Sequence, residues 1–329
     1  MRLIYTKFFY LFLLLILVFV LNLSLGSIIF PASVWIDLLH GHMPENYAGI
    51  FHFRLLKAFA AILAGGSLAL SGLLLQTLFR NPIAGPYVLG LSSGAGLGVA
   101  LLLLGGSLLG FHFLSGFTTG LAAILGSMLV LLFVVVLYVK FGNPVHLLIA
   151  GLMIGFFASA LISILSYFSP AANLQKFVFW SMGSLGNHSA VSLRLIFILL
   201  FLVTVYSLFL YKKFNLLLLG EEYAMSMGVS VKKVYFTIIL ITGLLTGSIT
   251  ALFGPIGFIG LAVPHLTRRF FQTHLHQILI PANVLTGALL LLFCDIVAQV
   301  PGSVIGLPIN SITALFGAPL VIYMLYKNK

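Results

Sequence analysis

The sequence is poor in charged side chains. Only 6% of its 329 residues are charged, whereas 61% are hydrophobic. Soluble domains carry roughly a quarter of their residues as charged side chains, and a soluble fold of this length could not cover its surface with so few. In lipid the requirement reverses, because apolar side chains can face outward while backbone polar groups bond to one another. The composition therefore excludes a soluble protein and predicts an integral membrane protein.

Acidic residues and cysteine are the scarcest chemical groups. The chain has five Asp and Glu residues and one cysteine, Cys294. A carboxylate-rich metal site is implausible with so few acids, so we expect no metal site and no cofactor in this chain. A single cysteine cannot form an intrachain disulfide, and none is expected.

Basic residues outnumber acidic ones and give a formal net charge of +11. They are spread along the chain in short clusters, such as Lys212-Lys213 and Arg268-Arg269, that punctuate apolar segments. This is the distribution that the positive-inside rule describes for membrane proteins. We therefore expect membrane lipid around the chain and no nucleic-acid partner.

Ten apolar segments have lengths suited to membrane-spanning helices. They lie at about residues 8–28, 55–79, 87–106, 113–139, 145–168, 192–211, 233–253, 257–271, 277–299 and 309–326. Runs of this kind favour helices over a barrel, whose strands would be roughly ten residues of alternating polarity. The segment at 257–271 is short and rich in glycine, so it could also be a broken or re-entrant helix. We predict an all-α, polytopic helical bundle of about ten transmembrane helices, forming a single domain over residues 1–329.

The basic residues also predict an orientation. Arg2 and Lys7 precede a first apolar segment that is as long as a spanning helix and has no small-residue cleavage site, so we expect an uncleaved helix. Ten spans then place both termini in the cytoplasm. Twelve basic residues fall on the cytoplasmic side and four on the outer side, as the positive-inside rule requires. The outer four are Arg54, Lys57, Lys176 and Arg194.

A polar segment at about residues 212–232 interrupts the late spans. Gly220, Ala224 and Gly228 are four residues apart, so a short helix here would present them as one stripe of small side chains. Glu221 and Glu222 fall at the start of that helix, where negative charge complements the helix dipole. The segment is interpreted either as a docking element for a cytoplasmic partner or as an ordinary surface loop.

Several stretches resemble the FecCD-type permeases of bacterial ATP-binding cassette importers, in the same order along the chain. They are Arg54-Leu55-Leu56-Lys57, Gln76-Thr77-Leu78-Phe79-Arg80-Asn81-Pro82, Leu89-Gly90-Leu91-Ser92-Ser93-Gly94-Ala95, Trp180-Ser181-Met182-Gly183, Gly254-Pro255-Ile256-Gly257-Phe258-Ile259-Gly260-Leu261-Ala262-Val263-Pro264-His265 and Thr313-Ala314-Leu315-Phe316-Gly317-Ala318-Pro319. The similarity covers nearly the whole chain from about residue 50. The combination is highly specific for this family.

The resemblance implies a type II importer permease in the cell inner membrane, paired with a second permease subunit as a homodimer or heterodimer. ATP-binding cassette ATPase subunits would dock on a cytoplasmic coupling loop, and a periplasmic or lipid-anchored binding protein would deliver the substrate. The implied coupling residues are Gly220, Glu221, Glu222, Ala224 and Gly228. The chain has no Gly-x-x-x-x-Gly-Lys-Ser/Thr loop, so ATP is expected on the partner and this chain is not expected to be an enzyme.

The implied substrate is an iron-siderophore or a related metal chelate, with haem or cobalamin (vitamin B12) as the alternative within the family. Arg54 and Lys57 occupy two positions at which the resemblance implies salt bridges to the binding protein; otherwise they anchor the outer interface by snorkelling. Gln299 and Gly306 stand where the family carries a basic residue and a Glu. These two departures suggest a divergent partner or a heterodimer.

Hydroxyl and ionisable groups within the spans complete the candidate residues. Ser159, Ser163 and Ser166 share one face of the fifth span, where they serve helix packing or, by the resemblance, line the translocation path. Asp295 is the one acidic residue that falls within a predicted span. A proton-coupled secondary transporter could use it as a relay, although a structural role is favoured. His265 is expected to be structural, and His274 and His276 are expected to be solvated.

Overall fold

The computed structural model describes residues 2–40, 44–106, 116–186, 188–300 and 306–327. In chain order its helices are α1 (Arg2–Ser24), α2 (Ala32–Leu39), α3 (Glu45–Phe79), α4 (Leu91–Ala100), α5 (Gly116–Phe141), α6 (Pro144–Phe168), α7 (Ala171–Ser181), α8 (Ala190–Phe209), α9 (Tyr211–Leu218), α10 (Glu221–Ser226), α11 (Val231–Phe253), α12 (Ile259–Phe271), α13 (His276–Ala298) and α14 (Ile309–Lys327). A 3-10 turn (Pro86–Leu89) precedes α4, and a π-helical turn (Leu101–Gly105) extends it. The all-α prediction is confirmed.

Each of the ten predicted apolar segments coincides with a helix. Seven helices among the described residues are long and apolar enough to cross a membrane, and α4 with its π turn and α14 are shorter apolar helices. The prediction of a multi-pass helical membrane protein is therefore confirmed. Helix α3 begins at Glu45 rather than near residue 55. Residues 45–54 include polar side chains that lower the hydropathy without ending the helix.

Helix α12 is too short to cross a bilayer by itself. Its 13 residues span about 20 Å at 1.5 Å per residue, whereas a hydrocarbon core is about 30 Å thick. The chain leaves α11 at Gly254 and enters α12 after Phe258, and both residues have left-handed backbone angles, with φ of 73° and 65°. The eighth apolar segment is therefore a short helix that follows a break, as a broken or re-entrant helix would be, and not a full spanning helix.

Hydrogen bonds satisfy the backbone at this break. The Ser184 N–H donates to Phe253 O at 2.8 Å, and the Gly257 N–H donates to Asn310 Oδ1 at 2.9 Å. Irregular backbone within a membrane is stable where other parts of the protein supply such partners. The break is thus held between the loop after α7 and the first turn of α14.

Helix α3 lies at the centre of the bundle and packs against α11, α12 and α13. Glycines permit the two closest approaches. A Cβ atom at Gly65 would overlap the Gly287 carbonyl on α13, and one at Gly72 would overlap the Gly260 carbonyl on α12. Small residues at helix contacts in lipid allow backbones to approach in this way. These two contacts fix α12 and α13 against the centre of the molecule.

Three short helices, α2, α7 and α9, were not predicted, because none contains an apolar run of spanning length. The short helix α10 lies where a short helix starting near Glu221 was predicted. Helices α9 and α10 form most of the segment predicted at about 212–232. We call the end of the bundle that carries Lys57 and Asp295 the outer end. The end that carries Arg80 and Glu221 is the inner end, following the predicted orientation.

Candidate transport pathway and coupling surface

Asp295 on α13 is the centre of a polar cluster at the outer end. Its side chain is 1% exposed, and Lys57 Nζ on α3 lies 2.9 Å from Oδ1. Asn22 Nδ2 on α1 and Gln299 Nε2 donate to Oδ2 at 2.9 and 2.7 Å. The carboxylate therefore joins α1, α3 and α13. Gln299, one of the departures from the family pattern, is one of its donors.

Arg54 is buried, with 4% of its surface exposed. Its guanidinium donates to the carbonyls of Leu23 at 2.9 Å, Ser24 at 3.3 Å and Ile28 at 2.5 Å. It thereby caps the last carbonyls of α1, which have no partner within the helix. Phe30 covers the other side, with its ring centroid 4.5 Å from Arg54 Cζ. In this structure Arg54 presents no free guanidinium fork at the outer surface, and Lys57 is paired; docking of a binding protein at these residues stays a prediction.

A cavity of about 540 Å³ opens beside this cluster. Arg54, Lys57 and Asp295 are its charged lining residues, and Phe53 and Phe179 are aromatic ones. Both rings are exposed. The outer cavity thus has apolar walls and three charged side chains, two cationic and one anionic. These charged groups are already bonded to other parts of the protein.

His188 lies close to the break, on the outer side. Its Nε2 is 3.2 Å from Ser184 O, and its ring stands edge-on to Phe253 at 4.5 Å between centroids. Burial lowers the pKa of His188 below its ordinary value, and the bond to the Ser184 carbonyl offsets part of this effect. The imidazole is therefore mainly neutral and packs on the last turn of α11.

A second cavity, of about 370 Å³, adjoins the break on its other side. Its walls come from the turn before α4, the break, the first turn of α12 and Asn310 on α14. Tyr87 and Asn310 supply polar side chains, and Ile83 and Leu261 supply apolar ones. Tyr87 and Asn310 were not predicted from the sequence, because neither interrupts a polarity pattern. This inner cavity is where four chain segments that are remote in sequence meet.

The predicted serines lie on α6, which packs against α4 and α5 through its other side. Ser159 and Ser163 are exposed and Ser166 is half-buried. Ser163 Oγ donates to Ser159 O at 2.9 Å, so that hydroxyl is bonded within its own helix. The exposed face continues through large apolar side chains such as Phe156 and Tyr167. A role in the translocation path stays a prediction for these three residues.

The segment at about residues 212–232, which we call the coupling segment, differs from the predicted stripe of small residues. Helix α10 contains only Glu221–Ser226, and Gly220 and Gly228 lie outside it with left-handed φ values of 126° and 81°. Ala224 is fully buried. The glycines make the turns at the two ends of α10, because glycine adopts positive φ without steric cost. The predicted stripe of small side chains on one helix was therefore wrong, although a coupling role for these residues remains a prediction.

The exposed surface of the coupling segment is instead formed by large apolar side chains. They are Leu218, Leu219, Tyr223, Met225 and Met227. Exposed apolar patches rimmed by polar residues are typical of protein interaction sites. Glu222 is exposed beside them. Glu221 is half-exposed and bonded: its carboxylate lies 3.2 Å from Arg80 Nη2 and accepts from the Tyr235 hydroxyl at 2.9 Å. The two glutamates thus have different surroundings.

His276 was predicted to be solvated, and this was wrong. It is 1% exposed, because α13 begins beneath α9. Asn215 Oδ1 accepts the His276 backbone N–H at 2.9 Å and lies 2.8 Å from the ring Nδ1. Nε2 lies 2.8 Å from Thr77 Oγ1 on α3. His274 is exposed, as expected.

Known proteins with the same architecture were found by sequence and by structure. The FecCD transport family matches residues 14–327. The vitamin B12 import system permease protein BtuC of Klebsiella pneumoniae is 35% identical over 96% of this chain and 92% of its own length. BtuC of Escherichia coli O9:H4 is 35% identical over 90% of this chain and 89% of its own.

Solved structures show a similar fold. A chain described as a metal-chelate type ABC transporter in an inward-facing conformation superposes with a TM-score of 0.84 and 33% identity, over 98% of this chain and 99% of its own. PsaBC from Streptococcus pneumoniae matches with a TM-score of 0.55 and 15% identity, which indicates a shared fold only. The family match, the relatives and the superposed structure agree on one assignment: this chain belongs to the FecCD transport family, the membrane permeases of ATP-binding cassette importers.

Proposed function

We propose that this chain is the permease subunit through which an ATP-driven importer moves a metal chelate, such as an iron-siderophore complex, across the inner membrane. The observation that carries the proposal is the family match over residues 14–327, on a fold whose inner end presents an exposed apolar segment. The ATPase subunits bind and hydrolyse ATP, and this chain forms the path.

The ATPase docks on the coupling segment in this proposal. Leu219, Tyr223 and Met227 supply apolar contact area, and Glu222 supplies an exposed charge. Gly220 and Gly228 fix the direction in which α10 projects, because both carry positive φ. Ala224 supports that position from below, since it is fully buried. This assignment places the inner end and both termini in the cytoplasm.

A second permease subunit covers the exposed face of α6 that carries Ser159, Ser163 and Ser166. The path then runs between the two subunits. A binding protein seats over the outer cavity, with Arg54 and Lys57 at its rim. Because both cations already have internal partners, we expect docking here to depend less on salt bridges than the family pattern implies.

Cobalamin is the second candidate substrate. The relatives named above are vitamin B12 permeases at 35% identity, whereas the structural relative is of the metal-chelate type at 33% identity. Similar identities to both leave the substrate to be decided by measurement.

The test is uptake by proteoliposomes that contain this chain together with its ATPase and binding-protein partners. Radiolabelled cobalamin and a radiolabelled ferric siderophore are supplied separately, with ATP on the side of the coupling segment. We expect ATP-dependent accumulation of one chelate, and none with a hydrolysis-deficient ATPase. Accumulation driven by a proton gradient without ATPase or ATP would instead support a secondary transporter.

A further inference from the structure

The inner end of α3 contacts the coupling segment through Arg80. This residue ends the helix in a left-handed conformation, with φ of 46°, which directs its side chain across the end of α3. Its Nη2 lies 3.2 Å from Glu221 Oε1. The same oxygen accepts from the hydroxyl of Tyr235 on α11, at 2.9 Å. Glu221, at the start of α10, therefore bridges the inner ends of two spans.

Thr77, one turn earlier on α3, makes a second connection. Its hydroxyl lies 2.8 Å from His276 Nε2 on α13, and Asn215 on α9 holds the other side of the ring. Because Asn215 Oδ1 already accepts the His276 backbone N–H, we assign the ring proton to Nδ1, donating to the same oxygen. The imidazole thus fixes α9 relative to α3 and α13.

Gln76 extends the connection toward the inner cavity. Its Nε2 donates to Leu261 O at 3.2 Å, and its Oε1 accepts from Arg268 Nη1 at 2.6 Å. Both partners are on α12. Leu261 also lines the inner cavity next to the break. Three neighbouring side chains of α3 therefore contact α10, the α9–α13 pair and α12.

The Arg80–Glu221 pair is suited to positioning rather than to stability. Both side chains are about two-fifths exposed, at 38% and 43%, and exposed ion pairs contribute little to the stability of a fold. The buried Thr77–His276–Asn215 group is bonded at both ring nitrogens, and such fully satisfied networks fix one geometry. A movement of α10 would reach α3 through the Arg80–Glu221 pair. The Thr77–His276–Asn215 group would meanwhile hold α9 in place relative to α3.

We propose that the last turn of α3 is the receiver through which the coupling segment sets the inner cavity, with Arg80 and Glu221 as positioning residues. A displacement of α10 moves Arg80, and Gln76 passes the movement of α3 to the first turn of α12. This inference deepens the proposed function and rests on it, because it requires an ATPase at the coupling segment.

The test uses a cysteine reporter in the complete transporter. Ile83 lines the inner cavity and is exposed, and the native Cys294 is buried, so an I83C chain is labelled at the reporter. The rate of maleimide labelling is measured in membrane vesicles containing the ATPase, without nucleotide and after trapping with ATP and vanadate. We expect trapping to change the rate severalfold, because it shifts the population between two conformations.

Arg80→Gln and Glu221→Gln, each in the I83C background, should abolish this change while the ATPase still co-purifies and hydrolyses ATP. The charge-swapped chain Arg80→Glu/Glu221→Arg should recover it. Lys233→Gln is the matched control, since Lys233 is an exposed cation on α11 without an ion pair in the described part of the chain, and it should behave like the parent.

Three results would overturn the receiver. The response to trapping could persist in both single variants, the charge swap could fail to restore it, or Glu221→Gln could lose the ATPase and so be a docking contact. If the parent I83C chain supports ATP-dependent uptake but shows no response to trapping, the receiver fails and the proposed function stands; if the parent supports no ATP-dependent uptake, the proposed function fails. The two failures are therefore distinguished by the parent.

Discussion

Asp295 is bonded to three side chains, two of which come from distant parts of the sequence. Lys57 is 238 positions away on α3 and Asn22 is 273 positions away on α1; Gln299 is one turn further along the chain. A proton relay needs a carboxylate that is free to exchange protons along a path. Here a proton would have to displace a bonded ammonium group, so the geometry favours a structural role and weakens the proton-coupled alternative.

This arrangement predicts strong energetic coupling between Lys57 and Asp295. Lys57→Met leaves a buried carboxylate without its counter-ion, and such a change costs about 3–5 kcal/mol of unfolding free energy. The double variant Lys57→Met/Asp295→Asn should be less destabilised than the sum of the single ones, by about 1 kcal/mol or more. Unfolding of the detergent-purified protein, followed by tryptophan fluorescence, measures all three.

The matched control is Lys176→Met. Lys176 is exposed on α7 and has no ion pair among the residues that the structure describes, so its replacement should change stability by no more than about 0.5 kcal/mol. Additive effects of the Lys57 and Asp295 substitutions would show that the pair contributes nothing as a pair.

At the scale of elements, hydropathy was sufficient to predict the ten apolar segments. The side chains of a spanning helix are either buried in the protein or exposed to lipid, so the helix is apolar over its whole length. The predicted boundary at residue 253 coincides with the end of α11. Hydropathy could not predict how the break after it is held, since that depends on Asn310, which is 53 residues from its partner Gly257. It also could not show that Ala224 faces inward, because the predicted helix was longer than α10. The missing information lies in contacts between distant segments, which composition and periodicity do not contain.

The contact between α3 and α12 gives a prediction at this scale. A Cβ at Gly72 would overlap the backbone of Gly260, so Gly72→Ala must separate the two helices. Overpacking of this kind costs about 1–3 kcal/mol, and we expect a lower melting temperature together with slower uptake. Gly49→Ala is the control on the same helix, because its Cβ would have no atom within 4 Å.

Alanine in a helix interior is intrinsically more favourable than glycine by about 1 kcal/mol. Gly49→Ala should therefore keep or slightly raise the melting temperature. Equal melting temperatures for the two variants would mean that α3 and α12 do not meet as closely as the structure indicates.

For the whole molecule, polar contacts concentrate at the two ends of the bundle. The outer end joins α1, α3 and α13 through Asp295 and Arg54, and the inner end joins α3 to α9, α10, α12 and α13. Between them the helices are held mainly by apolar packing. Helix α3 belongs to both clusters, so it is the element through which a change at the inner end can reach the outer cavity.

Transmission from the coupling segment to the outer cavity requires the inner end of the bundle to face the cytoplasm. The native chain is suited to a measurement of this orientation. Its single cysteine is buried, so exposed positions can be labelled one at a time after substitution by cysteine. Lys176 on α7 and Met227 after α10 are exposed at opposite ends of the bundle. A membrane-impermeant maleimide should label Lys176→Cys in intact spheroplasts, and should label Met227→Cys only after permeabilisation, with the native chain as the background. Labelling of Met227→Cys in intact spheroplasts would place the coupling segment outside the cell, where no ATPase could reach it, and would reverse the assignment of both cavities.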